Sequence, residues 1–164
     1  MRVSLDDIPA SVCEKVGVAV YIAQRLESAL VCHLLVRRNQ TASCITPEMI
    51  EAIEDELERM TLGQLVRALN IETGTDASAE NTLTRALQYR NHIAHSFFKS
   101  FDSVEEPARR VVLMLNRLEL MILEMRSAVG LMQHWTEALA FSLKVDIEAI
   151  RRDYDNRLSL LSLG

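Results

Sequence analysis

From Val104 to Leu143 one stripe recurs at alternating steps of four and three residues: Val104, Ala108, Val111, Leu115, Leu118, Ile122, Met125, Val129, Met132, Thr136, Leu139 and Leu143. A period of 3.5 residues held over that length specifies a long helix with a continuous seam. It excludes a strand, whose side chains alternate with a period of two. Such a seam serves as the core side of a bundle's longest helix, as a surface for pairing with a second copy, or as both. Gly130 is a weak point of this helix, where a bend is tolerated.

The rest of the chain carries the same kind of signal. Val12, Val16, Ala19, Ala23, Leu26, Leu30 and Leu34 predict an amphipathic helix from Ser11 to about Arg38, closed by Arg37 and Arg38 where the helix dipole favours cations. Thr46-Pro47 is a helix start, and the pattern predicts one helix running on through Leu62, Leu65, Val66 and Leu69. Gly63 marks either a close helix approach or a kink. The acids Glu48, Glu51, Glu54, Asp55, Glu56 and Glu58 read first as a solvated face. No histidine joins them at metal-ligand spacing. Residues 71–79 form a loop, with Ser78 as the expected N-cap of a helix that runs to about Ser100. Asp102 with Glu105, or Ser103 with Glu106, offers a capping box for the next helix. Asp146 is expected to cap a last helix.

With only five Gly, three Pro and 5% aromatics, the composition agrees. The predicted fold is all-α: a four- to five-helix up-and-down bundle over 11–145. Residues 1–10 form a lead-in, and 146–164 a C-terminal helix and tail that pack on the bundle or on a dimer partner. No apolar run reads as a membrane span, and the stretch MRVSLDDIPA lacks the apolar core of a signal peptide. Cys13, Cys32 and Cys44 are an odd count without C-x-x-C spacing, which argues against a disulfide framework and for a cytoplasmic place. A net charge of -5 argues against a general grip on nucleic acid and leaves room for a small local site.

That local site is the stretch RALQYRNHIAHSFFKSF, Arg85 to Phe101. Leu83, Leu87, Ala94, Phe97 and Phe101 form its apolar stripe, and Arg90 falls on the same stripe. An unpaired buried charge costs several kcal/mol, so Arg90 requires a partner, a cleft or a ligand. A polar stripe of Thr84, Gln88, Asn91, His95 and Lys99 runs beside it. Arg90 and His95 stand roughly 140° apart around the axis and flank one sector of the helix. Between Asn81 and Ser100 there are Arg85, Arg90, Lys99 and two histidines, and no carboxylate, so the stretch is a positive spot in an acidic chain. Such a set suits a phosphate: Arg supplies a planar fork of donors, and His exchanges protons near neutral pH. RNA cleavage asks for little more, because the adjacent 2′-hydroxyl is the nucleophile and no metal or other cofactor is needed. Arg85, His92 and Lys99 are candidate phosphate-binding neighbours.

The string Arg90-Asn91-His92-Ile93-Ala94-His95 resembles the signature of the HEPN superfamily of all-helical ribonucleases and nucleotide-binding domains. That signature is an Arg, a polar residue directly after it, and then a His, with four to six residues between the Arg and the His. Phe97-Phe98 and the order of helices over roughly 11–145 are similar to family members as well. The resemblance implies a bundle that dimerises with its motif helices facing each other. It implies a metal-independent endoribonuclease in which His95 handles the proton, Arg90 binds and stabilises the phosphate, and Asn91 orients them. It further implies RNA as substrate and an antitoxin protein as a partner, since many members are toxins of toxin–antitoxin or phage-defence systems. Other members do not cleave and serve as binding modules.

Each residue also has a plainer role. Arg90 fits a structural ion pair with a carboxylate such as Glu27. His95 fits an interface histidine. His92 and His95, three apart, match half of a zinc site whose other half the chain lacks. Phe97 and Phe98 fit the core better than a base-stacking platform. An antitoxin-like or regulatory bundle that keeps Arg90, Asn91 and His95 for structure is the alternative function, with a nucleotide-binding module beside it.

Overall fold

A computed structural model describes residues 8–40 and 46–143, and all its regular structure is helical. The elements are α1 (Ala10–Gln40), α2 (Pro47–Glu58), α3 (Leu62–Thr73), α4 (Ala77–His95), a short 3₁₀ turn (Phe98–Phe101) and α5 (Pro107–Leu143). The helix expected from Asp146 and the tail lie outside the described residues.

The two long helices make the frame. Lys15 pairs with Glu119 near one end, and His33 meets Thr136 near the other, so α1 and α5 run in parallel. Arg85 pairs with Glu124 and Tyr89 lies under Arg117, so α4 runs antiparallel to α5. The stripe read on α1 is the core: Val12, Ala19, Ala23, Leu26, Leu30 and Leu34 are all buried, with Val16 half-buried. The seam of α5 faces the same core from Leu118 to Thr136. Its first residues do not. The helix begins at Pro107, so Val104 precedes it and Ala108 is exposed. The residue before the helix is Glu106, so neither Asp102 nor Ser103 stands at its N-cap. The N–H of Arg110 closes the first turn on the carbonyl of Glu106, and the Arg110 guanidinium donates to the carbonyl of Val104.

The second helix of the sequence reading is two helices. α2 stops at Glu58 and α3 restarts at Leu62, because Thr61 is an N-cap in a full capping box. The Gln64 N–H donates to the Thr61 hydroxyl at 3.3 Å, and the Gln64 side chain accepts from the Thr61 N–H at 2.8 Å. The apolar period continues across the break, which hides it from a reading of periodicity. Arg38 ties both pieces to the end of α1 through Glu56 at 3.1 Å and Glu72 at 2.9 Å. A Cβ added at Gly63 of α3 would meet Leu87 of α4 at ordinary contact distance, so the glycine marks a helix approach, and the break falls at Arg59–Thr61.

Gly74 ends α3 at φ 60°, a left-handed cap that a side chain strains. Gly130 lies in continuous helix with open space around the position of a Cβ. The same substitution at the two positions should have opposite effects. Gly74→Ala should lower stability by about 1 kcal/mol and Gly130→Ala should raise it by about 0.5–1 kcal/mol, both read from urea unfolding midpoints.

α1 is 31 residues long, with a window of mean hydropathy 1.3, and by length and composition it matches a membrane span, contrary to the sequence reading. Its apolar stripe is the side that the bundle buries.

His33 is the buried polar residue that periodicity does not flag. The Thr136 hydroxyl donates to the Met132 carbonyl at 2.7 Å, so it accepts from the His33 Nδ1–H at 3.2 Å, which fixes the tautomer. Burial, and then the Arg37 charge, hold the imidazole below its ordinary pKa of 6.5. The folded state therefore binds fewer protons than the unfolded chain just below that value. The stability this group adds is complete above about pH 6.5 and is lost as pH falls through the depressed folded value. Unfolding midpoints should drop between pH 7.5 and 5.5, and His33→Gln should flatten that drop.

Candidate functional site

α4 starts two residues earlier than expected: Asp76, and not Ser78, caps it by accepting from the Ala79 N–H at 2.8 Å. Leu83 and Ala86 point into the core and set the rotation of the helix. The helix ends at His95, five residues before the expected Ser100, and the N–H of Ser96 closes it on the His92 carbonyl. The 3₁₀ turn then brings Phe97 and Phe101 into the core by a path a continuous helix would not give. Ala94, expected to point inward, is exposed because Phe97 turns in after it. Phe97 packs edge-on against Phe98 and Phe101 at 5.3 and 5.2 Å between ring centres, and the plainer reading of these aromatics as core holds.

Arg90 has both a partner and a cleft. Its Nη2 lies 3.5 Å from Glu27 Oε1 of α1, with the two side chains 38% and 35% exposed. Its Nη1 donates to Asn91 Oδ1 at 3.3 Å. Below the guanidinium a groove of about 250 Å³ runs between α1 and α4, walled by Val16, Ala19, Ala23 and Ile93. Half-exposed charges are screened by water, so this ion pair contributes at most about 1 kcal/mol. Glu27→Gln should therefore leave the unfolding midpoint nearly unchanged while freeing Arg90 for an anion. Isothermal titration with a short oligonucleotide would show binding maintained or tightened.

His95 sits exposed on the last turn of α4, and among the described residues no hydrogen-bond partner engages its ring. Arg90 and Asn91 thus touch each other, while His95 stands a turn further on, open to solvent. The other three candidates part company. Arg85 pairs with Glu124 of α5 with its side chain 44% exposed, and Lys99 is exposed. His92 turns toward the bundle, with Nδ1 2.8 Å from the Ser96 hydroxyl and its ring edge-on to Phe97. The charge picture changes with them. The stretch has no carboxylate in sequence, yet the fold brings Glu27 and Glu124 against two of its three cations. It also adds one cation that the sequence reading missed: Arg117 of α5, 5.9 Å over the ring of Tyr89, next to Arg90 in sequence. Nothing in the local sequence marks Arg117; its place comes from the pairing of α4 with α5. Among the described residues, no three of His, Cys, Asp and Glu stand close enough to share a metal ion.

The fold and these side chains define an all-helical bundle with an Arg–Asn–His set on the exposed end of its fourth helix. No family model, no curated protein and no solved structure matches the chain.

Proposed function

We propose that this chain is a HEPN-like, metal-independent endoribonuclease acting on single-stranded or looped RNA. The observation that carries the reading is the state of its three key side chains. Arg90 is held in place by Asn91 and Glu27 but remains over a third exposed, and His95 is open on the same helix. A guanidinium so placed can hold a phosphate, and an accessible imidazole can take the 2′-hydroxyl proton or protonate the leaving 5′-oxygen. Asn91 orients the guanidinium through its side-chain oxygen. Lys99 adds a cation for the strand beyond the cleavage point, while Arg85 and His92 act on the site through their packing. One protomer offers one exposed motif imidazole, since His92 turns toward the bundle, so a second copy supplies the acid where the first supplies the base. A homodimer through the motif helix and the long helix, a cytoplasmic place and an antitoxin partner belong to this same reading.

The ion pair to Glu27 favours a second reading. A guanidinium that bridges two helices also does the work of a structural cation in a non-catalytic interaction module. Incubation of the purified full chain with a mixed RNA pool in EDTA separates the two. Fragments ending in 2′,3′-cyclic phosphate support the ribonuclease; intact RNA at high protein concentration sinks it and leaves the interaction module.

A further inference from the structure

The groove under Arg90 is lined by small side chains. α1 runs parallel to α5 and α4 antiparallel to it, so α1 and α4 are antiparallel to each other. Glu27 lies against Arg90, and one turn further along the groove Ala23 and Gln24 of α1 come level with Ile93 and Ala94 of α4. Ala19 and Ala23 are buried, Ile93 is half-buried and Ala94 is exposed at the rim. The slot these residues leave is apolar and holds about 250 Å³, just short of the roughly 300–1,000 Å³ that drug-sized ligands occupy. That volume suits a single flat ring system.

The polar groups of the slot are gathered at its Arg90 end. Glu27 turns Oε1 to Arg90 at 3.5 Å, and Oε2 has no hydrogen-bond partner among the described residues. Gln24 is exposed three residues earlier on the same face of α1, and among the described residues its side-chain amide also has no partner. The rim therefore carries an amide that can donate, then a carboxylate that only accepts, with a guanidinium beside them.

We infer that the slot seats a guanine base adjoining the phosphate that Arg90 holds, and that Gln24 and Glu27 read its Watson–Crick edge. The phosphate rests on the ribonuclease reading; the base is an addition to it. Guanine presents in order the O6 acceptor, the N1–H donor and the N2–H donor. The Gln24 amide donates to O6, and the Glu27 carboxylate accepts from N1–H and N2–H. Each carboxylate oxygen has two lone pairs, so Oε1 serves the base without leaving Arg90. The other bases fail at Glu27. Adenine N1 and cytosine N3 are acceptors that meet the lone pairs of the carboxylate, and uracil offers a single N–H between two carbonyls. Ala23 and Ile93 contact the faces of the ring, which are apolar in every base, so only the edge decides identity. Glu27 is thus a specificity-determining residue as well as the partner of Arg90.

Isothermal titration of the full chain in EDTA with nucleoside 3′,5′-bisphosphates tests the seat without cleavage, since these carry a phosphate on each side of the base. The guanosine compound should bind about 10-fold or more tightly than the adenosine, cytidine and uridine compounds. Glu27→Gln should erase that preference, while the freed Arg90 keeps the adenosine compound bound at least as tightly as before. Ala94→Leu, at the exposed rim, should weaken all four compounds with an unchanged melting curve. Equal binding of the four compounds by the wild type overturns the inference, as does a guanosine preference that survives Glu27→Gln or binding that Ala94→Leu leaves untouched. No heat with any compound at millimolar concentration overturns it too. A guanosine preference in a protein that cleaves no RNA leaves the seat standing and sinks the ribonuclease. Cleavage indifferent to the bases beside the broken bond does the reverse.

Discussion

Arg90→Ala and His95→Ala should each lower RNA cleavage in EDTA by about 100- to 10,000-fold while the protein stays folded. The range follows from what each group supplies. Proton transfer by a positioned side chain contributes about 100- to 10,000-fold, and a charged donor aimed at the developing phosphate charge contributes a comparable factor. His95 is exposed and, among the described residues, has no hydrogen-bond partner, so its loss should leave no hole and the melting curve should not move. Arg90→Ala unpairs Glu27, but that carboxylate is a third exposed and water solvates it, so the cost to stability should stay within about 1 kcal/mol. The double variant should be little worse than the poorer single one, because groups that act on one transition state are not additive. Arg90→Lys separates two roles: a lysine keeps the charge but loses the fork, so a structural ion pair survives it and phosphate recognition does not. Cleavage that persists in His95→Ala within a few-fold of wild type would remove His95 from the mechanism.

Phe97→Ala should be the most damaging single change at the end of the motif helix, costing about 3–5 kcal/mol and lowering the melting temperature by roughly 10 °C. Phe97 is buried to 1% exposure and touches Phe98, Phe101 and the ring of His92. It also anchors the 3₁₀ turn that follows α4, so its loss both leaves a cavity and loosens the turn that ends the motif helix. Phe98→Ala, at a half-buried position, should cost much less. Thermal melts of the two variants side by side check this. If the two behave alike, the 3₁₀ turn and its inward Phe97 are misassigned.

The helical class and the inner faces of α1 and α5 were legible in the sequence, because apolar period depends only on which side of a helix water reaches; the motif was read late on a third helix, which the break at Thr61 makes the fourth. Glu27 was named as a partner for Arg90 because a cation on an apolar stripe demands one. The break at Thr61 was written in the sequence as a Thr-x-x-Gln box but was masked by a period that continued across it. The end of α4 at His95 was not legible, since nothing local stops a helix there; Phe97 turns inward because the core of α1 and α5 has room for it. Charge was the least legible of all. Local sequence determined a run of cations without a carboxylate. Only the tertiary structure decided that Glu27 and Glu124 meet two of those cations and that Arg117 lies over Tyr89 from another helix, because charges act through space and helix packing sets their distances.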